Sequence, residues 1–208
     1  MENKMTESQP GQNVNPLKKY YRQPKQFIRL PSGYKYYPEG AIEVSESGEI
    51  AVYPMTAKDE LIFKTPDALL NGEATVTVIQ SCVPAIKNAW QMPSIDVDAT
   101  LIAIRMATYG TKMSVPIMVP NTKIEKDYEL DLQVTLDKLL NAQYQPTSLV
   151  GNMEITTQPL SYDQFSKMAI KSFEEARVQE IIKDQDMDEE EKLRRFQKSL
   201  TKLTDLNI

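Results

Sequence analysis

Apolar positions concentrate between Met55 and Gly110 under helical punctuation, and the pattern there predicts a succession of short helices. Thr56 precedes AKDELIFK with an acid three residues on at Asp59, a capping pattern that leaves Leu61 and Ile62 on the next turn. Thr65-Pro66 repeats the start signal, because proline at the first helical position lacks only an N–H that had no partner, and Asn71-Gly72 stops that helix. From Glu73 the run ATVTVIQSCV is apolar on most sides and β-branched. Periodicity alone leaves helix and buried strand open there; a helix closed by Pro84 is the expectation. Trp90, Met92 and Pro93 form an apolar connector. A last helix runs from Asp96 or Asp98 to Tyr109, with Val97, Leu101, Ile104 and Thr108 on one stripe, Ile102 and Met106 beside it, and Gly110 as its stop.

On both sides of this stretch the period changes to two. Ala41 to Val44 and Ile50 to Tyr53, separated by SESG, read as a hairpin with Gly48 in the turn. After the core, Met113 to Val119 and Lys126 to Val134 read as a second hairpin across PNTK. Glu125, Asp127, Glu129 and Asp131 alternate along it, so a strand puts four carboxylates on one face and Lys126, Tyr128, Leu130 and Leu132 on the other. Paired carboxylates can hold a metal or act as acid and base. A calcium loop folds its ligands around the ion, however, so a solvated face that deters edge pairing is the favoured reading.

A short helix near Leu136 to Ala142 and a strand from Met153 to Gln158 complete the globular part. Ser161 with Gln164 is a capping box opening a long helix through Phe165, Met168, Ala169, Phe173 and Ala176 to about Ile182. The acidic tract DQDMDEEE interrupts it. Asp188 with Glu191 caps a final helix in which Leu193, Phe196, Leu200, Leu203 and Leu206 follow steps of three, four, three and three. That seam of about two heptads is marginal alone in water; its partner is either the preceding helix, by folding back, or another chain. The expected fold is α+β: a compact helical core, two flanking β-hairpins and a protruding C-terminal helical element. The expected parts are a disordered N-terminus (1–16), a basic aromatic arm (17–40), an α+β globular domain (41–160) and C-terminal helices (161–208).

Residues 1–16, MENKMTESQPGQNVNP, offer almost nothing to bury and are read as disordered when unbound. The arm that follows, LKKYYRQPKQFIRLPSGYKYYPEG, interleaves aromatic rings with Lys18, Lys19, Arg22, Lys25, Arg29 and Lys35. Rings and cations so mixed can stack bases and neutralise phosphates, which raises single-stranded nucleic acid as an alternative partner. Three prolines and the lack of a nucleic-acid fold favour an extended arm lying in a protein groove, with rings as anchors. The candidate partner-binding residues are therefore Tyr20, Tyr21, Arg22, Phe27, Arg29 and Tyr34 in the arm and Leu193, Phe196, Leu200 and Leu203 in the seam.

Composition narrows the chemistry. Histidine is absent from all 208 residues, which removes Ser-His-Asp and Cys-His nucleophiles, imidazole bases and histidine-containing zinc sites. The one cysteine, Cys82, lies in an apolar run away from any cation in sequence and reads as inert packing; no intramolecular disulfide can form. The seven glycines are scattered among turns and make no phosphate loop. No catalytic residue, cofactor or metal is expected. No apolar run approaches the roughly 20 residues of a membrane span, so no membrane association is expected. The net charge of -5 hides an asymmetry, since residues 16–38 carry six Lys or Arg and no acid while residues 173–191 are heavily acidic. Asp96 and Asp98 read as favourable charges at a helix start, and Arg105 as half of a structural ion pair.

Three ordered motifs carry a resemblance: KYYRQPKQFIRLPS, then YPMTAKDELIFKTPDALLNGEA, then VIQSCVPAIKNAWQMPSIDVDATLIAIRMATYG. Over about residues 17–135 the chain resembles the baseplate hub assembly family of T-even-like contractile-tailed bacteriophages. The C-terminal helices lie outside that resemblance. It implies a viral protein made in the host cytoplasm, without enzymatic chemistry. Its implied role is to build the central hub of the tail baseplate by binding other hub proteins, as a minor component or an assembly chaperone. Self-association through the C-terminal helices is a further expectation from the seam. Relatives carry a Cys-x-x-Cys pair in a ribbon-like hairpin where this chain reads Val119-Pro120-Asn121-Thr122. A zinc ribbon is therefore not carried over.

Overall fold

Two helices at the centre organise the molecule, α1 being the short helix before them. In the computed structural model the described residues are 21–65, 72–120, 124–142, 145–184 and 187–205, with the side chains of Leu203 and Asp205 outside the description. The expectations for residues 1–16, Tyr20, the helix at Pro66, the PNTK turn and Leu206 fall outside these residues. Helix α1 (Ala57–Phe63) begins in the predicted capping box, Thr56 and Asp59 each bonding the other's backbone. The ambiguous run is helix α2 (Glu73–Cys82), with Val78, Ile79 and Cys82 fully buried. Burying a Val or Ile side chain contributes roughly 1.5–3 kcal/mol, enough to override the modest helix propensity of β-branched residues. A 3-10 turn, Ala89–Gln91, leads into α3 (Ser94–Tyr109).

Helix α3 is buried more widely than one stripe. Asp96, Val97, Ala99, Thr100, Ala103, Ile104 and Met106 are all buried, while Leu101 and Thr108 are half-buried. The neighbours touching α3 include α2 and four elements introduced below, and the small Ala99 and Ala103 let them approach closely. Thr100 and Thr108 return their hydroxyls to the carbonyls of Asp96 and Ile104, at 2.8 and 2.7 Å, so neither is a lone polar group in the core.

The strand expected to form a hairpin with Ala41 to Val44 pairs elsewhere. Strand β1 (Gln26–Ile28) lies antiparallel to β2 (Ile50–Val52), with Phe27 opposite Ala51. Gly48 makes its turn at φ +70°, donating to the Ser45 carbonyl, but residues 41–43 turn to the connector instead. The Ala41 carbonyl accepts from Lys87 and Asn88, and Glu43 donates to Ala85. The reason lies in Ile28 and Leu30, which alternate and are each buried to 4% exposure beside Ile50 and Val52. The arm thus supplies one wall of the core.

Strands β3 (Lys112–Met118) and β4 (Glu125–Asp131) form the predicted second hairpin, with Lys112 opposite Asp131 and Met118 opposite Glu125. The strand stops at Asp131 rather than Val134, because the Asp131 carboxylate accepts from Gln133 N–H and caps α4 (Leu132–Asn141). Leu132 and Leu136 then bury on the core. The alternating acids face solvent, with Lys112 bonded to Glu129. Only the base of this hairpin is anchored, through Met113 and Leu130; Ile117, Met118, Ile124 and Tyr128 further out are exposed.

The strand expected from Met153 is present in a third two-stranded sheet, whose other strand was not read in the sequence. Strand β5 (Thr147–Val150) pairs with β6 (Met153–Thr156) across Gly151-Asn152, with Gly151 at φ +62°. A two-residue Gly-Asn loop between β-branched runs is its signal. Helix α5 (Tyr162–Lys183) starts in the predicted Ser161–Gln164 capping box and is pinned to the connector: Ser94 donates to Leu160, Tyr162 donates to Met92, and Trp90 stacks on Tyr162 at 5.8 Å. Helix α6 (Glu189–Asp205) folds back along α5, the first of the two alternatives for the seam. The architecture is α+β, as expected from the sequence.

Gly72 sits where α2, Trp90 and α5 converge. Its φ is +83°, and a Cβ there would come within 2.8 Å of Ser166 Oγ and 3.3 Å of the Trp90 ring. Gly72→Ala should lower unfolding free energy by about 2 kcal/mol in a urea titration, and Ser166→Ala in the same chain should restore only part, because the backbone strain persists.

Candidate functional site

Two surfaces carry the residues expected to bind a partner, one on the arm and one on the C-terminal helices. On the arm, Tyr21 is 56% and Phe27 59% exposed, and Phe27 projects from β1 between the buried Ile28 and the half-buried Gln26. Arg29 is exposed and shares Glu49 at 3.9 Å while donating to the Ser47 carbonyl at 3.3 Å. These three keep surfaces that a partner can reach.

Arg22 turns inward. Its Nε donates to the Pro54 carbonyl at 2.6 Å, Nη1 to the Ser81 carbonyl at 2.9 Å, and Nη2 to Cys82 Sγ at 3.0 Å. The guanidinium also lies 3.7 Å from Asp59 and 5.7 Å from the centre of the Tyr53 ring. With its donors spent this way, Arg22 is a clamp between the arm, α1 and α2, and contributes no charge to a rim. Cys82 therefore does have a cation beside it, contrary to the reading of its apolar neighbours; burial still dominates and pushes the thiol up to about 11.

Asp59 is the counterpart of that clamp. Burial would raise its pKa, but hydrogen bonds from Thr56 N–H and hydroxyl and from Ser81, with the Arg22 charge, hold it below the usual carboxylate value. Asp96, expected to act as a helix-start charge, has the larger task. It is fully buried and accepts from Ser32 N–H at 2.8 Å, Ser32 hydroxyl at 2.5 Å and Tyr37 hydroxyl at 2.9 Å. Burial raises its pKa, and those hydrogen bonds offset part of the rise. The loop between these bonds holds Gly33, Tyr34 and Tyr36 at φ of +60°, +65° and +71°. A non-glycine residue costs about 1–3 kcal/mol there, so the Asp96 contacts must hold it in place.

Tyr34 is half-buried, its hydroxyl donating to the Gly48 carbonyl at 2.7 Å, so it staples the loop to the β2 approach and only part of its ring is accessible. Beside it, a groove of about 530 Å³ runs between the loop (Pro31, Lys35, Tyr36) and the end of α4 (Leu140, Ala142). Arg105, expected in an ion pair, lies over the Tyr109 ring at 4.4 Å, and its buried Nη1 has no hydrogen-bond partner. Tyr109 bonds to Glu60, which raises its pKa.

On α6, Leu193 and Leu200 are 58% and 49% exposed and Phe196 is half-buried; the Leu203 side chain is outside the description. The contact between α6 and α5 mixes polar and apolar groups, with the buried Ile181 of α5 beside the half-buried Phe196 of α6. Ser199 and Glu174 are buried there, and Lys202 Nζ donates to Glu174 Oε1 at 2.9 Å. The hydrogen bond from Lys202 is the main cause of the lowered Glu174 pKa. Asp188 caps α6 by accepting from Glu190 N–H, as predicted. The hydrophobic seam is thus split: Phe196 turns toward the hairpin, and the two leucines stay outside. Among the described residues no group of three or more His, Cys, Asp and Glu side chains can hold a metal ion, and no helix is long and apolar enough to cross a membrane.

These surfaces project from a fold with a clear family. The family model described as T4 bacteriophage base plate protein matches residues 26–204, and the chain belongs to that family. It is a phage base plate protein, and so a protein of the tail. The match reaches past the resemblance at residues 17–135 and takes in α5 and nearly all of α6. No curated protein and no solved structure shows significant similarity to it.

The Arg22–Asp59 clamp gives a pH signature. A carboxylate whose pKa is lowered on folding contributes stability above its ordinary range, and that stability is lost as pH falls through the lowered value. Asp59→Asn should cost about 2–4 kcal/mol at pH 7, and the gap to the wild type should shrink steadily below about pH 4 in denaturant titrations.

Proposed function

We propose that this chain acts in the baseplate hub, as a minor component or an assembly chaperone, by binding other hub proteins in the host cytoplasm and without catalysis. The supporting observation is where large apolar side chains remain exposed: among the described residues half of them fall from Leu149 onward, most on elements with little core behind them. All eight residues of the β5–β6 hairpin are exposed, Leu149 to 79%. An isolated two-stranded hairpin is marginal in water, and clustered exposed apolar surface is the mark of a docking site.

The arm supplies the first contact, with Tyr21 and Phe27 as anchors, Arg29 at the rim and the accessible part of Tyr34 beside them. The C-terminal helices supply the second, to a hub protein or to another copy of this chain. Single-stranded nucleic acid is the weaker reading, since Arg22 is committed inside the fold.

Affinity capture of the full chain with hub proteins of the same phage tests this. The expected result is stoichiometric capture at physiological salt, weakened at least about tenfold by Tyr21→Ala with Phe27→Ala at unchanged melting temperature. Capture of single-stranded oligonucleotides instead, falling steeply with salt, would reverse the order of the two readings. Mass spectrometry of finished virions beside hub intermediates then separates a retained component from a chaperone found only in intermediates.

A further inference from the structure

We propose that the outer edge of β4 is a docking site for an extended segment of another protein with Lys or Arg at every second position, which joins the β3–β4 hairpin as a third strand. The sheet has two strands only, so each keeps an outer edge. In an antiparallel ladder, pairs that exchange hydrogen bonds alternate with pairs whose N–H and C=O groups point outward. Val119 donates to the Ile124 carbonyl at 2.9 Å and Leu132 to the Thr111 carbonyl at 2.8 Å, which fixes the phase at both ends. Val115 opposite Tyr128 and Ile117 opposite Lys126 therefore exchange bonds, whereas Ser114 opposite Glu129, Pro116 opposite Asp127 and Met118 opposite Glu125 point outward. The two edges are unequal as a result. On β3 the central outward position is Pro116, which has no N–H to offer. On β4 the outward groups are those of Glu125, Asp127 and Glu129, and all three residues are exposed.

Side chains select the occupant. The residues whose backbone groups point outward are the same ones whose carboxylates share a face, so each residue opposite them in an added strand lies beside an acid. A second copy brought up edge to edge sets acid against acid, and this edge does not pair with itself. Lys112 is bonded to Glu129, but among the described residues no cation pairs with Glu125 or Asp127. Lys or Arg at alternate positions of the added strand supplies the opposite charge. Its intervening residues fall on the other face, where Tyr128 and Ile117 are exposed and an apolar or β-branched side chain covers them. Neither the arm nor the C-terminal helices take part, so this contact stands or falls apart from the hub reading.

Amide hydrogen exchange of the full chain, resolved to single residues by NMR, tests the added strand. The probe is a capped peptide with Lys at alternate positions and Val or Thr between them, titrated to about 1 mM. The expected result is that the amides of Glu125, Asp127 and Glu129 slow at least about tenfold, while those of Ser114 and Met118 keep their rates. A peptide of the same composition with its lysines adjacent should bind at least about tenfold more weakly, because only one of them can meet each carboxylate in a strand. Asp127→Pro removes one outward donor and leaves the bonds to β3 in place, so it should weaken binding at least about tenfold, against about threefold for Asp127→Asn, which keeps the N–H. The exchange rates of the wild-type chain decide the matter even where Asp127→Pro does not fold. No slowing at the three β4 amides, equal slowing on β3, equal binding of the two peptides, or equal losses with Asn and a folded Pro variant would overturn the proposal.

Discussion

The fold depends on keeping one carboxylate satisfied out of water. Asp96 has no exposed surface, and a buried carboxylate without hydrogen bonds would cost several kcal/mol. Its partners all come from residues 32–37, so the N-terminal segment must lie across the start of α3 whenever the core is formed. Ile28 and Leu30 are carried into the core by the same constraint, and β1 meets β2 as a result. The Arg22–Asp59 clamp fixes the other end of that segment against α1 and α2. Between the two carboxylates, residues that read as a loose arm become structural wall.

That division of labour shapes where function can reside. From β1 to α4, much apolar surface is spent on stability, and what remains outside is a few rings, Val44, Leu61 and Val134, and the outer half of the β3–β4 hairpin. From β5 onward the balance inverts. The helices there are joined in part by a polar latch of Lys202 on Glu174 Oε1, while the buried Oε2 has no hydrogen-bond partner and leucines and phenylalanines face water. Buried polar seams specify which helix face turns inward more than they add stability.

Local chemistry was legible where a single residue determines it. The capping boxes at Thr56 and Ser161, the cap at Asp188 and the period-two alternation of β3 and β4 rest on near neighbours, and each formed as read. Pairing was less legible. Ile50 to Val52 can accept any antiparallel neighbour, and only the burial of Ile28 and Leu30 decided between the arm and residues 41–44. The Gly151-Asn152 turn was visible but unread, because β5 has no buried face to give it a pattern. Of the candidate binding residues, Tyr21, Phe27, Leu193 and Leu200 are exposed, whereas Arg22 is not, since four acceptors 32 to 60 residues away surround its guanidinium.

The sequence by itself determined the helices, their caps, the α+β class, the lack of histidine chemistry and the kinship with phage base plate proteins. Each of these depends on composition or on residues within a turn of one another. Tertiary structure alone decided that the arm is a wall, that Asp96 and Asp59 are its tethers, and that Lys202 of α6 meets Glu174 of α5. Those outcomes depend on which distant groups share one buried space, where an unpaired charge is costly and most polar groups find a partner.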